Sequence, residues 1–472
     1  MPGGLLLSYY YHQDMKQKKI ILPEHEIPTE WYNIQAEMPT KPLPMLDPKS
    51  LRPITAEGLY PVFVEESARQ ELNQTDAWIA IPDEVREKYQ MYRSTPLVRA
   101  YELERVLDTP AHIYFKDEGG SPCGSHKLNS ALAQAYYARE QGITNVTTET
   151  GAGQWGSALS LASRIFGLEC AVYQVRVSYE QKPSRRTMMQ VYGAQLTPSP
   201  SMSTRAGKDV LTRDPDNPGS LGMAISEAIE LARTTPNTRY LLGSVMNHVG
   251  LHQTVIGLEA ERQMELAGEQ PDVVIACFGG GSNFSGMIFP FLHHTLRNGA
   301  TTRYVAVEPS SCPKLTRGRF AYDYGDEAGY TPLIPMYTLG HSFVPSAIHA
   351  GGLRYHGGGS VFSQLLRDGY IEAMDVDQLE SFRAGMLFAR TEGIIPAPES
   401  CHAIAGAIRE AERCKREGKA ETILFCLSGH GQLEISAYEQ YIRHTLTGGS
   451  PTDEELRAGL RDLPEVSPEA IH

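Results

Sequence analysis

The sequence has no apolar run of the length that a transmembrane helix needs, about 20 residues, so we expect no membrane span. No basic residues precede the Leu triplet near its start, and lysines only follow it, which argues against a secretory signal peptide. Met15 resembles a more usual start, so we interpret residues 1–14 as an upstream extension. These features predict a cytoplasmic protein.

Cysteine pairs are also missing. The 7 cysteines are odd in number and none belongs to a CxxC motif, a pattern that favours neither disulfides nor a zinc site. We therefore expect free thiols in a reducing compartment and no side-chain cluster that binds a metal.

Basic residues are fewer than acidic ones: 43 Lys and Arg against 56 Asp and Glu leave a formal net charge of −13. A negative chain repels the nucleic-acid backbone and anionic lipids, so nucleic acid and membrane surfaces are not expected partners. Repeats and low-complexity tracts are absent too, and the 41% hydrophobic share is that of an ordinary globular protein.

The length and the pattern of apolar segments indicate the fold class. A chain of 472 residues exceeds what one core usually organises, so we expect two domains. From residue 112 onward, short apolar runs alternate with helical patterns; the strand HIYFKDE is followed by the helix LNSALAQAYYAREQ, for which Ser125 is the predicted N-cap. This alternation predicts an α/β fold with parallel sheets covered by helices on both faces.

A glycine run, Gly279 to Asn283, follows an apolar strand and opens a helical segment. Glycines allow close approach to the backbone, and the N–H groups at a helix start bind anions. The spacing is neither GxGxxG nor that of a Walker loop, so a mononucleotide-sized phosphate fits better than a dinucleotide or ATP. A tight turn without a ligand explains the run about equally well.

Lys127, in GSHKLN, lies in the first turn of a predicted helix, where the helix dipole favours anions. A solvated surface lysine is the usual explanation. The functional alternative is a Schiff-base lysine, whose neutral amine such a site helps to maintain. In that case His126 beside it faces an anion.

Two more strand-to-helix junctions carry glycines: ETGAGQWG, from Glu149 to Gly156, and LSGHG, which contains Ser428. Glu149 stands at a strand end, where α/β enzymes place working residues, although it could also cap its own loop. Three glycine loops and one lysine, each at such a junction, predict a phosphate-bearing cofactor joined to an amino acid.

The motifs GSHKLN, ETGAGQWG, GGGSN, PAPESCHA (396–403) and LSGHG have the order and spacing found in tryptophan synthase β chains. The resemblance covers about residues 90–445 and includes STPLVRA at 94–100. GSVMNHVGLHQTVIGLE (243–259) and AGGLRYHG (350–357), with the long N-terminal segment, resemble the divergent second type of β chain.

The resemblance implies a fold-type II pyridoxal-phosphate enzyme of two domains, each a mostly parallel twisted sheet flanked by helices. It implies an N-terminal extension, an N-terminal α/β domain with the Schiff-base lysine and a mobile subdomain, a C-terminal α/β domain with the phosphate loop, and a tail. These are residues 1–57, 58–250, 251–446 and 447–472.

By motif position, the resemblance also implies roles for individual residues. Lys127 matches the Schiff-base lysine and Glu149 the acid/base carboxylate. Asn129 would lie near the cofactor's phenolic oxygen and Ser428 at its pyridine nitrogen. The implied cofactor-binding residues are Lys127, His126, Asn129, Gly279, Gly280, Gly281, Ser282, Asn283, Glu399 and Ser428. The implied substrate-binding residues are Thr150, Gly151, Ala152, Gly153, Gln154 and Arg354.

Two positions depart from the common type: Trp155 stands where His is usual, and Arg354 where an Asp helps to close the site. The implied reaction joins L-serine and indole into L-tryptophan and water, and Arg354 raises O-phospho-L-serine as a further donor. The resemblance also implies pyridoxal 5'-phosphate, a monovalent cation (K+ or Na+), a homodimer and an α chain as a candidate partner.

Three alternatives stay open at this point. One is a serine or threonine deaminase on the same fold, and another is a weakly catalytic partner of an α chain. The third is a nucleotide-binding protein that uses the glycine run.

Overall fold

The computed structural model describes residues 17–466. The interpretation of residues 1–14 as an upstream extension lies outside them. No helix in the described part is long and apolar enough to cross a membrane. All seven cysteines fall within it, and all are free and buried.

The described residues form fifteen strands: β1 (Lys19–Ile20), β2 (Glu30–Tyr32), β3 (Trp78–Ala80), β4 (Leu97–Arg99), β5 (His112–Asp117), β6 (Asn145–Thr150), β7 (Glu169–Val175), β8 (Gln195–Ser199), β9 (Thr238–Tyr240), β10 (Val273–Cys277), β11 (Arg303–Pro309), β12 (Arg319–Tyr324), β13 (Leu333–Thr338), β14 (Glu372–Val376) and β15 (Thr422–Leu427).

They also form nineteen α-helices. The first ten are α1 (Ala56–Leu59), α2 (Glu65–Glu71), α3 (Asp83–Tyr89), α4 (Tyr101–Leu107), α5 (Leu128–Glu140), α6 (Gln154–Phe166), α7 (Arg176–Gln181), α8 (Pro183–Val191), α9 (Arg205–Arg213) and α10 (Leu221–Thr234). The others are α11 (Asn247–Gln253), α12 (Val255–Ala267), α13 (Ser282–Asn298), α14 (Lys314–Arg317), α15 (Ser360–Arg367), α16 (Gln378–Glu392), α17 (Pro398–Glu417), α18 (Ile435–Ile442) and α19 (Asp453–Gly459). Short 3-10 helices occur at Glu24–Glu26, Ile34–Ala36, Glu118–Gly120, Gly351–Leu353 and Leu460–Asp462.

The larger sheet has seven strands in the order β1-β4-β5-β15-β10-β11-β14. The strands from β5 to β14 are parallel, whereas β4 runs antiparallel to β5 and β1 antiparallel to β4. The central strands β10 and β15 are buried along their whole length, as expected of parallel strands covered on both faces. Helix α17 packs against both of these strands.

The smaller sheet has four parallel strands in the order β8-β7-β6-β9. Helices α6 and α10 pack against β6 and β7. Two mostly parallel sheets flanked by helices confirm the predicted α/β fold.

The larger sheet does not follow the boundary predicted at residue 250. Strands β4 and β5 precede that residue, yet β5 pairs in parallel with β15, from His112 with Thr422 to Asp117 with Leu427. The pairing joins residues about 310 positions apart in the chain, which a local pattern of apolar residues cannot reveal. Only β6 to β9 form the smaller sheet, and it is inserted between β5 and β10 in the sequence.

Candidate active site

Three chain segments meet where the central strands of the larger sheet end. Lys127 follows β5, the glycine run Gly279–Gly281 follows β10, and Ser428 follows β15. Since these strands are parallel neighbours, their carboxyl ends lie along one edge, where open α/β sheets bind ligands.

An open cavity lies at this edge of the sheet. Most of the residues that the resemblance singled out line it. These are His126, Lys127, Glu149, Thr150, Gly151, Ala152, Gln154, Gly279, Gly280, Ser282, Asn283, Glu399 and Ser428. The residues that the resemblance implies for cofactor and substrate therefore meet in one concave site, the usual form of a ligand site.

The Lys127 ammonium is held by two oxygens, the carbonyl of Gly243 and the hydroxyl of Ser282, the latter at 2.6 Å. Burial lowers the pKa of this lysine to about 8, while Cys277, Glu149 and Glu399 act in the opposite direction. A substantial share of Lys127 is therefore neutral slightly above neutral pH, as a nucleophilic amine requires.

His126 is neutral, because burial and the neighbouring Lys127 charge hold its pKa well below the usual value. Its Nδ1 lies 3.2 Å from the carbonyl oxygen of Ser428, and its Nε2 lies 3.2 Å from Ser282 Oγ. Since a carbonyl only accepts, Nδ1 carries the proton and Nε2 accepts from the Ser282 hydroxyl. The same hydroxyl accepts from Lys127, so the three groups form one chain of hydrogen bonds.

The glycine run is shaped by close contacts. A Cβ on Gly279 would stand 2.4 Å from the carbonyl oxygen of Gly352, and one on Gly281 would stand 2.2 Å from the Phe362 ring. Gly281 has φ +116° and precedes α13, whose first N–H groups lack carbonyl partners within the helix. These N–H groups suit an anion.

Ser125 does not cap α5 as predicted. The helix begins at Leu128 with Lys127 at the cap position and without a side-chain cap, because residue 125 is bridged to Gly429 instead. The Ser125 hydroxyl is buried, belongs to a residue that lines the cavity and has no hydrogen-bond partner among residues 17–466. An unpaired buried hydroxyl near the glycine run is a donor that a phosphate oxygen would satisfy.

Glu149 is the second-last residue of β6 and is buried, with 5% of its surface exposed. The Tyr240 hydroxyl donates a hydrogen bond to its Oε2. Burial raises the pKa of Glu149 to about 7, although Tyr240 and Lys127 both lower it. Near neutral pH this carboxyl group can therefore both give and take a proton.

Two further polar side chains, Ser428 and Glu399, line the cavity. The Ser428 hydroxyl lies 2.7 Å from Ser400 Oγ. The Glu399 carboxylate accepts hydrogen bonds from Gln154 Nε2 at 2.8 Å and from the backbone N–H of Gly352 at 2.9 Å. Glu399 thus connects the loop after β6 to the segment that faces the glycine run.

The loop from Thr150 to Gln154 leads into α6, and its backbone packs closely against neighbouring segments. A Cβ on Gly151 would stand 2.7 Å from the carbonyl oxygen of Gly351, and Gly153 has φ +109°. The start of the 13-residue α6 presents N–H groups that can bind a carboxylate.

Four predicted site residues do not line the cavity: Gly153, Gly281, Asn129 and Arg354. The two glycines shape the helix starts described above. Asn129 is fully buried behind Lys127, where its Oδ1 accepts from Arg93 at 2.8 Å and Tyr92 at 2.7 Å. Its Nδ2 donates to Gln253 at 2.9 Å. Because the amide is committed to this network, the structure does not support the predicted contact with the phenolic oxygen.

Arg354 is buried rather than at the surface, with 6% exposure. Its Nη2 donates to the Pro345 carbonyl at 2.8 Å, while its Nε has no partner within the described part of the chain. Burial lowers the pKa of this guanidinium to about 10. The guanidinium is therefore an incompletely paired buried cation, one position after the cavity-lining Leu353.

Tyr240, which ends β9, was not singled out because the apolar run that contains it continues beyond the strand, so no strand-end signal marks position 240 in the sequence. Trp155, noted as a departure, donates from Nε1 to Thr148 Oγ1 at 2.7 Å. Its ring packs on Gly243, where a Cβ would stand 2.4 Å from Cδ2. Trp155 therefore supports the position of Gly243, whose carbonyl accepts a hydrogen bond from Lys127.

Comparison with known proteins decides the family. A family model described as pyridoxal-phosphate dependent enzyme matches residues 89–429. A tryptophan synthase beta chain 2 of Thermotoga maritima is 56% identical over 417 residues, which cover 88% of this chain and 98% of that protein. The chain belongs to the tryptophan synthase β-chain family. The protein of the same name from Aquifex aeolicus, 54% identical over 433 residues, covers 91% of this chain and all of its own length.

Among solved structures, a fungal L-serine ammonia-lyase from Rhizomucor miehei matches with a TM-score of 0.57. It covers 75% of this chain and 99% of its own, at 15% sequence identity. At that identity the likeness concerns the fold alone and does not favour a deaminase. Within residues 17–466, no cluster of three or more His, Cys, Asp or Glu is placed to hold a metal ion.

Proposed function

We propose that this chain catalyses the tryptophan synthase β reaction, in which L-serine and indole give L-tryptophan and water with pyridoxal 5'-phosphate as cofactor. The observation that carries the proposal is that Lys127, Glu149 and the glycine run line one cavity. Relatives above 50% identity bear the name of this enzyme, which disfavours the deaminase alternative.

The residues of the cavity fit the cofactor. Lys127 would hold it covalently, and the N–H groups at the start of α13, with Ser125 and the glycine run, would hold its phosphate. Ser428 would face its pyridine nitrogen, and its neutral hydroxyl cannot hold a full positive charge there as a carboxylate could. When bound, the group supplies an electron sink for chemistry at the donor's α-carbon.

Lys127 and Glu149 divide the proton transfers between them. The Lys127 amine, with its pKa lowered to about 8, takes the α-proton of the donor. Glu149 gives a proton to the departing hydroxide of serine and then supports the indole N–H during attack. The N–H groups between Thr150 and Gln154 bind the donor's carboxylate.

A second cavity adjoins the first at Glu149, and we propose that it receives the acceptor. It shares Glu149, Leu221 and Ser244 with the first cavity. Its remaining wall is mainly apolar and aromatic, formed by residues such as Phe63, Ile225, Tyr240, Leu242, Ile334 and Tyr355. A flat aromatic molecule such as indole suits this wall.

Product analysis of the purified protein tests the proposal and separates its alternatives. With L-serine and indole, we expect L-tryptophan in an amount equal to the indole consumed. A deaminase would release ammonia and a keto acid whether or not indole is present, and a weakly catalytic partner would do neither until an α chain is added.

Arg354 bears on the finer question of the donor. A buried guanidinium without a carboxylate is costly, and a phosphate could pair with it bidentately. We propose that Arg354 supports donor binding and admits O-phospho-L-serine beside L-serine. Leu353 lines the cavity whereas Arg354 does not, so the side chain must turn to reach a donor.

The test is the substitution Arg354→Ala, with kcat/KM measured on both donors. The value for O-phospho-L-serine should fall by about 10-fold or more relative to that for L-serine, because a charge-assisted hydrogen bond is lost only with the phosphate. If the wild type does not turn over O-phospho-L-serine, this donor is ruled out. Unchanged L-serine kinetics in the variant would then also remove any role in donor binding.

We further propose a homodimer, on the family resemblance alone. Light scattering at micromolar concentration should give about twice the 52.2 kDa chain mass. A monomer in this measurement would overturn the assignment. An α chain as partner, a K+ or Na+ requirement and a cytoplasmic location are proposed on the same basis, and assays with and without each ion and an α chain test the first two.

A further inference from the structure

The Glu149 carboxylate is anchored at one oxygen by a neighbouring phenol. Its Oε2 accepts a hydrogen bond from the Tyr240 hydroxyl. The hydroxyl of its neighbour Thr148 is directed to the carbonyl of Leu241 instead. The Thr148 hydroxyl and the backbone N–H of Glu149 also lower the pKa of this carboxyl group, but within residues 17–466 the side chain with full hydrogen-bond geometry to it is Tyr240, at Oε2, which leaves Oε1 for exchange with a ligand.

Tyr240 is fixed more firmly than Glu149. It ends β9, which pairs in parallel with β6 so that Tyr240 stands opposite Thr147. Its backbone N–H donates to Val62 at 2.8 Å, and its ring packs edge-on against Phe63 with centroids 5.7 Å apart. With 1% exposure, its phenol has little freedom to turn away from Glu149.

The direction of the hydrogen bond follows from the titration of the two groups. Burial and the Glu149 carboxylate keep the pKa of Tyr240 well above the usual value, so the phenol remains a donor. The ionisable groups that face Glu149 are Lys127 from the start of α5, Tyr240 from β9, and Tyr355, which follows the 3-10 helix at Gly351–Leu353. Among these, Tyr240 alone donates a hydrogen bond to the carboxylate.

We infer that Tyr240 is a positioning residue: by occupying Oε2 of Glu149, it confines proton exchange with donor and acceptor to Oε1. The inference rests on the proposed function of Glu149 and deepens it. Tyr240 itself exchanges no proton in this scheme, and its phenol also forms part of the acceptor wall.

The test compares Tyr240→Phe with wild type, since phenylalanine keeps the ring and removes only the donor. The pKa of Glu149 should rise by about one unit, because a hydrogen bond to the charged form is lost. It can be followed in cofactor-free protein from the infrared band of the protonated carboxyl group, with Glu149→Gln identifying the band. In the enzyme with bound cofactor, every limb of the pH–rate profile that Glu149 governs should shift to higher pH by the same amount.

The matched control is Tyr355→Phe. Tyr355 lines the same acceptor cavity and is equally buried, but its hydroxyl donates to the Gly325 carbonyl at 2.9 Å. Loss of the Tyr355 hydroxyl should leave the pKa of Glu149 unchanged. An equal shift in both variants, or none in Tyr240→Phe, would overturn the inference.

A double variant separates positioning from packing. Tyr240→Phe should lower kcat about 10-fold at neutral pH with little change in the KM for serine, and it should have almost no effect in a Glu149→Gln background. If Tyr240 had a purely structural role, its replacement would lower kcat by the same factor in both backgrounds. If Glu149→Gln alone retained full turnover, the proposed function of Glu149 would be wrong. The infrared titration would still show whether Tyr240 sets the pKa of Glu149.

Discussion

Tryptophan formation should slow by about 10²–10⁴-fold when Glu149 is replaced by glutamine. The amide keeps the shape of the side chain and can still meet the Tyr240 hydroxyl, but it cannot give or take the proton. Since the pKa of Glu149 is raised to about 7, wild-type turnover near neutrality draws on both of its protonation states, and the variant has neither. Steady-state rates with L-serine and indole measure the effect.

Glu327→Gln is a suitable control. Burial raises the pKa of Glu327 too, and its carboxylate accepts from Ser220 at 2.7 Å, but it lines neither cavity. Its replacement should leave turnover near normal. Near-normal turnover of Glu149→Gln would instead mean that Glu149 only stabilises its own loop.

Lys127→Ala should remove both the covalent attachment of the cofactor and the base for the donor's α-proton, so tryptophan formation should fall by at least about 10³-fold. The variant should also lose the absorbance of a lysine-bound cofactor. The substitution removes only the two hydrogen bonds of Lys127, to the Ser282 hydroxyl and the Gly243 carbonyl. We therefore expect the fold to persist. Circular dichroism checks this point.

A second lysine gives the contrast for that experiment. Lys182 is also buried, at 4% exposure, and donates to the His349 carbonyl at 2.9 Å, but it does not line the cavity. Lys182→Ala should keep the bound cofactor. Loss of the cofactor in Lys182→Ala but not in Lys127→Ala would reverse the assignment.

Local patterns in the sequence identified the parts of the site that depend on local structure. The strands β5, β6, β10 and β15 were predictable from short apolar runs, and the loops after them from their glycines. Since ligand sites lie at the carboxyl ends of parallel strands, these loops could be assigned to one site before the strand order was known.

Contacts between distant segments were not predictable in this way. Asn129 was assigned to the cofactor by its position in the motif, yet it follows Lys127 by about half a helical turn and its side chain lies in the interior. There it joins a fully buried network in which Arg93 pairs with Glu118 and Glu259, and Lys116 with Glu259. These partners lie up to 166 positions apart, so no spacing rule links them.

The presence of a charged residue at one position did not reveal where its side chain lies. Arg354 was weighed as a donor-binding group or an exposed arginine, and the structure gives a buried side chain with one carbonyl partner. Likewise, Tyr240 and Glu149 are paired only because β9 lies beside β6, a neighbourhood set by the order of strands in the sheet.

The central claim, that Lys127 carries pyridoxal phosphate, is tested most directly by reducing the purified holoprotein with borohydride and mapping its peptides. Reduction makes the lysine–cofactor bond permanent, and we expect the label on the peptide that contains GSHKLN, at Lys127. Label on any other lysine, or none after the protein has been supplied with the cofactor, would contradict it.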